Sequence, residues 1–134
     1  MFELTIDGAV HGFNFGFGFY RDIDKTVIGK ADQNGVSSKM GLQYKIARIV
    51  DLDPDAIVDV LDCANKYAGD GYSRLTRSAI ESYVQSDACD IEELAGRLLD
   101  FFRTNNTTKG AMKVIDRIRN MSDEEKEKIL AGSR

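Results

Sequence analysis

A chain of 134 residues, with 43% hydrophobic and 30% charged side chains, has the size and composition of one soluble domain with its own core. Its net charge of −4 and pI near 5.0 exclude an extended grip on a phosphate backbone, which needs clustered Lys and Arg. No run approaches the roughly 20 apolar residues of a membrane span, the N-terminus carries no export signal, and Cys63 and Cys89 have neither metal spacing nor a disulfide framework.

Phe2, Leu4 and Ile6 alternate with Glu3, Thr5 and Asp7, the period of a strand with one wet face. Asp7-Gly8 then supplies a tight hairpin turn. A two-residue turn sets Ile6 opposite Ala9, Leu4 opposite His11 and Phe2 opposite Phe13, with Phe15 extending the apolar face. The stretch HGFNFGFGFYRDIDK, residues 11–25, therefore begins as a second strand. After Phe15 the alternation fails: Gly16 and Gly18 permit a bend, and residues 17–26 read as a short helix. The polar stretch GKADQNGVSS follows as a loop.

From Met40 the period is helical, with Leu42, Ile46, Ile49 and Val50 on one stripe. Asp53-Pro54 opens the next helix with a capping carboxylate and a proline at its first position. Its stripe is Ile57, Val60, Leu61, Ala64 and Tyr67, and Asp55, Asp59 and Asp62 share the opposite, wet face. GDGYS breaks the chain. Thr76 caps another helix, with Leu75 and Ile80 spaced as a hydrophobic staple. Asp90 with Glu93 resembles a capping box before the most apolar helix, which carries Ile91, Leu94, Ala95, Leu98, Leu99, Phe101 and Phe102. NNTT ends it. Residues 108–121 form a further amphipathic helix with Ala111, Val114, Ile115, Ile118 and Met121. Ser122 with Glu125 caps a last one that offers only Ile129 and Leu130.

The fold class expected is α+β, mainly α: an N-terminal β-hairpin followed by five or six helices. Residues 1–104 form the hairpin and helical core. Residues 105–134, with 7 basic and 5 acidic side chains against 5 and 10 in residues 54–104, form a C-terminal helical extension, flexible or partner-docking.

Little in the chain is arranged for chemistry. Gly12, Gly16 and Gly18 lack both dinucleotide spacing and the lysine-serine ending of a nucleotide loop. G-F-N-F-G-F resembles an RNA-stacking strand, but it lacks a second aromatic strand and basic neighbours. The buried corner, joining hairpin to helices, is the better reading. His11, the single histidine, is expected as a buried, hydrogen-bonded structural residue. GDGYS lacks the spaced oxygen ligands of a calcium loop. No enzyme, cofactor or metal site is expected. What remains is apolar surface on the helices at 90–104 and 108–121, which either completes the core or receives another polypeptide. Leu98, Phe101, Phe102, Val114, Ile115, Ile118 and Met121 are the candidate protein-binding residues.

Three segments carry a resemblance: MFELTIDGAVHGFNFGFGFYRDIDK, MGLQYKIARIVDLDPDAIVDVLDCAN and DIEELAGRLLDFF. In that order they resemble the tail assembly chaperones of long-tailed phages and prophages of Gram-positive bacteria. The likeness spans most of residues 1–104 and is looser beyond. The family's strand-glycine-aromatic-helix junction falls on Phe13, Phe15, Gly16, Phe19 and Arg21; His11 is a departure, at a place where a bulky aromatic or aliphatic residue would be unsurprising.

The resemblance implies a non-enzymatic assembly factor in the host bacterial cytoplasm, absent from the mature virion. Its partners would be the tape measure protein, which it keeps soluble, the major tail tube protein that polymerises around that client, and further copies of itself. Nucleic acid and membrane are not among them. The resemblance also implies a longer form made by ribosomal frameshifting near the end of this reading frame. The alternative is a structural connector or tail-completion protein retained in the virion.

Overall fold

The computed structural model describes residues 1–25 and 41–121. Strands β1 (Phe2–Ile6) and β2 (Ala9–Phe13) form an antiparallel hairpin. The register is the expected one, with Phe2 opposite Phe13, Leu4 opposite His11 and Ile6 opposite Ala9. Asp7 and Gly8 have φ of 53° and 80°, the left-handed pair that lets a two-residue turn follow the strand twist.

Six helices follow among the described residues: α1 (Phe17–Lys25), α2 (Gly41–Val50), α3 (Pro54–Asn65), α4 (Arg77–Gln85), α5 (Ile91–Thr104) and α6 (Lys109–Arg119). Their starts have local causes. The Asp53 carboxylate accepts from the Asp55 amide at 3.0 Å, and Pro54 fills the first turn of α3, where no N–H partner exists. Thr76 accepts from the Ala79 amide at 3.1 Å, and Asp90 accepts from the amides of Glu92 and Glu93. Leu75 and Ile80 are both buried, as a staple requires. At α2 the cap comes from another helix: buried Asp24 of α1 accepts from the Leu42 amide at 3.3 Å.

Helix α2 packs against α1, α3, α5 and α6 and is the hub of the helical layer, while α3 carries β2 and α4. One core joins hairpin and helices. Phe2, Phe13, Phe15, Phe19 and Phe102 are all buried in it, and half-buried Phe101 closes the cluster. Phe15 lies edge-on to Phe19 at 4.8 Å and to Phe102 at 5.0 Å between ring centres, the favoured arrangement for aromatic quadrupoles.

Polar side chains tie the elements together where backbone groups would otherwise be stranded. Buried Asn65, at the end of α3, donates to the Gly12 carbonyl at 3.1 Å and accepts from the Leu75 amide at 2.7 Å and from Arg74 at 2.6 Å. Strand, helix and the connection to α4 thus meet at one amide. His11 is buried, its Nδ1 donating to the Ser73 carbonyl at 3.2 Å. The polar NNTT sequence works in the same way. Asn105 and Thr107 both donate to the Phe15 carbonyl, and fully buried Thr108 donates to the Phe102 carbonyl. Helix α6 then packs on α2 and α5, and its Met112 and Ile115 enter the common core.

Several expected details differ. Helix α3 stops at Asn65, so Tyr67 is not on its buried stripe; it is 36% exposed. Asp59 and Asp62 do not form a bare acidic face. Asp59 pairs with Lys45 of α2 and Arg77 of α4, both at 2.6 Å, and Asp62 pairs with Arg74 at 3.4 Å. Neighbouring elements supply cations, from α2, α4 and the connection before α4, that a pattern within α3 cannot reveal. The loop expected at GKADQNGVSS, Thr26, Met40 and the last helix expected from Ser122 and Glu125 with Ile129 and Leu130 lie outside the described residues.

Candidate protein-binding surface

The glycine-aromatic corner is buried on one side and open on the other. In α1, Phe19 and Ile23 are four apart and fully buried, whereas Phe17 and Arg21, also four apart, face outward. Phe17 is 64% exposed, and the Arg21 guanidinium lies 5.3 Å from its ring centre. Gly16 and Gly18 do not have the left-handed φ that glycine alone adopts easily. The need at Gly18 is space: an added Cβ would stand 2.5 Å from Cε1 of Tyr67. The bend expected from backbone freedom is therefore a close approach instead. The Tyr67 hydroxyl donates to Asp22 at 2.5 Å, and Lys66 donates to the same oxygen at 3.0 Å. These bonds, Tyr67 first, hold the Asp22 carboxyl below the ordinary aspartate value of 3.8.

On the open side a cavity of about 690 Å³ lies between α1, the start of α2 and the α5–α6 junction. Phe17 and Tyr20 form one wall, Leu42 and Gln43 a second, and Asn106, Thr107, Gly110 and Ala111 the third. Its position follows from the bonds just described. Asp24 anchors the start of α2 to α1, and Asn105 and Thr107 anchor the start of α6 to the corner at Phe15.

The residues singled out in the sequence divide by burial. Leu98 and Phe102 are fully buried, and Ile115 is 8% exposed, so in this chain they fill the core. Phe101, Val114 and Met121 are half-buried. Ile118 is 44% exposed and is the one large aliphatic side chain among the seven that stands in solvent. Ala111, Val114 and Ile118 follow one another along a face of α6, beginning at the groove. Phe17 and Tyr20 were not singled out. The available signal was the four-residue offset of Phe17 and Arg21 from the Phe19–Ile23 stripe.

Chemically reactive arrangements are sparse. Burial pushes the Cys63 thiol up to about 11, so it is protonated at neutral pH. Among the described residues no group of three or more His, Cys, Asp or Glu side chains is placed to hold a metal ion. No helix among them is long and apolar enough to cross a membrane.

The class defined by these features is a small α+β, mainly helical domain, with a hairpin locked to its helices by an aromatic corner and an apolar groove beside it. Within that class the family is established by sequence. Residues 3–116 match the family model described as phage tail assembly chaperone protein, TAC, and the chain belongs to that family. No curated protein and no solved structure matches the chain.

Proposed function

We propose that this protein binds the tape measure protein of its phage, keeps it soluble, and presents it while tail tube subunits polymerise around it. Membership of residues 3–116 in the tail assembly chaperone family carries the reading. The groove at Phe17, Tyr20 and Leu42, with the adjoining face of α6, supplies a physical means.

A tape measure is a long polypeptide whose amphipathic helices have no partner until the tube closes. Apolar helix faces exposed in water aggregate, and covering them removes the driving force. A small domain needs only a modest contact, because many copies on one client act multivalently. Helix α6, within the C-terminal extension expected at residues 105–134, contributes its outer face to the docking surface. Self-association along the client and displacement by the major tail tube protein complete the scheme. Release then requires no covalent chemistry, and the work is done in the host cytoplasm by a protein that leaves before the virion is finished.

Co-expression with the tape measure protein encoded beside it should move that client from the insoluble to the soluble fraction. Failure to do so overturns the proposal. Mass spectrometry of purified particles should find this protein far below one copy per structural subunit; stoichiometric recovery would instead identify a connector retained in the virion.

A further inference from the structure

Charge around the groove specifies the kind of helix that fits it. Eight cations of the described residues sit within 4 Å of a carboxylate: Lys25, Lys45, Arg48, Lys66, Arg74, Arg77, Arg103 and Arg119. Lys109, Lys113 and Arg117 have none within that distance among the described residues. They are exposed on α6 at i, i+4 and i+8, so they form one continuous line of about two turns. Arg21, stacked on the Phe17 ring at the groove wall, likewise has no carboxylate within that distance among the described residues. In a chain with four more acidic than basic side chains, these four cations lie on α1 and α6, two of the helices that wall the apolar groove; Arg97, the other described cation without a carboxylate within 4 Å among the described residues, instead lies over the Phe2 ring and donates to the Glu3 carbonyl.

Helix geometry sets the two features side by side. Successive residues are 100° apart on a helix, so the line Lys109, Lys113, Arg117 borders the line Gly110, Val114, Ile118. Gly110 and Ala111 line the groove, and Val114 and Ile118 extend its apolar character along α6. A phosphate backbone would satisfy the cations but would leave the apolar lining in water. An uncharged apolar helix would fill the groove but would leave the cations unused.

The geometry points to an amphipathic client helix that places its apolar face in the groove and a row of Glu or Asp side chains against Lys109, Lys113 and Arg117, with Arg21 receiving an acid at the other wall. The inference rests on the client-binding function proposed above and adds its chemistry. Apolar contact supplies the attraction, and the charged edge sets orientation and selects among helices.

Two labelled synthetic helices test it against the intact chain. Both carry leucine at i, i+3, i+4 and i+7; one has glutamate along the flanking edge and the other has lysine there. Fluorescence anisotropy should give the glutamate helix an affinity about tenfold higher, roughly 1.4 kcal/mol, and the advantage should shrink as salt screens the exposed edge. K109E/K113E/R117E should reverse the preference, and the neutral K109Q/K113Q/R117Q should abolish it, with circular dichroism confirming that each variant is folded. F17A should weaken both helices alike.

Equal binding of the two helices by the wild-type chain overturns the inference, as does a preference that survives charge reversal. Tighter binding of a single-stranded oligonucleotide than of the glutamate helix overturns it in favour of a nucleic-acid surface. Dimerisation that buries Phe17 overturns it in favour of a self-interface. In the co-expression assay, a wild type that rescues the tape measure protein and a charge-reversed variant that rescues it equally would remove this inference while leaving the proposed function standing. Failure of the wild type itself would remove that function.

Discussion

At the scale of single residues, Phe15 is the joint of the molecule. Its ring meets Phe2, Phe19, Phe101 and Phe102, and its carbonyl accepts from Asn105 and Thr107. Hairpin, first helix and the α5–α6 junction are therefore held at one position. Phe15→Ala leaves a ring-sized cavity at a site fixed on several sides, where collapse is restricted, so the loss should be about 3 kcal/mol or more. Equilibrium denaturation measures it, and a variant of wild-type stability would contradict the burial. The buried role of Phe15 was legible in the alternation from Phe2 to Phe15. The opposite fate of Phe17 was written in the helical offset after the bend, but whether that face met solvent or another helix depended on which elements came to lie beside it.

At the scale of elements, the ends of helices are set locally. Asp53-Pro54, Thr76 and Asp90 act at short range, and each was readable because a cap involves residues only two or three apart. The end of α2 is less evident. Leu52 has φ of 60°, and the Asp53 amide returns to the Arg48 carbonyl at 3.0 Å, closing the helix through a left-handed residue. An L side chain in that conformation costs about 1–2 kcal/mol, and Leu52 is 36% exposed, so little packing offsets the strain. Leu52→Gly should raise stability by about 0.5–1 kcal/mol after the greater chain entropy of glycine is counted. Thermal unfolding should show a higher midpoint; a lower one would mean that the leucine contacts outweigh the backbone strain. Nothing in the local pattern signals that conformation, because leucine is not a residue that favours it.

At the scale of the whole molecule, carboxylates paired across elements govern the response to acid. Hydrogen bonds from Arg103 hold Asp116 below its ordinary value of 3.8, linking α5 to α6, against a smaller opposing effect of burial. Asp22 is lowered likewise by Tyr67 and Lys66, linking α1 to the segment after α3. Each group binds its proton less readily folded than unfolded, so the unfolded chain takes up more protons as acid is added. The stabilising contribution is complete above the ordinary value and is lost as pH falls through the lower folded ones. Urea midpoints should be level from about pH 7 to pH 5 and drop below about pH 4; D22N/D116N should start lower at neutral pH and decline less in acid. A midpoint that rises on acidification would contradict both pairings.

The order of the chain was enough to determine a hairpin with its register, the capped helix starts and an aromatic set destined for the interior, since these depend on neighbours within a few residues and on the period at which apolar side chains recur. The candidate groove was not determined in that way. It exists because Asp24 reaches the start of α2 and because Asn105 and Thr107 reach the Phe15 carbonyl, contacts that span 18 to 92 positions. The same long-range packing decided that Leu98 and Phe102 fill the core, that Asp59 is neutralised, and that Lys109, Lys113 and Arg117 are left facing water. Burial and pairing are properties of what lies alongside a residue in space, and only the assembled helices supply those neighbours.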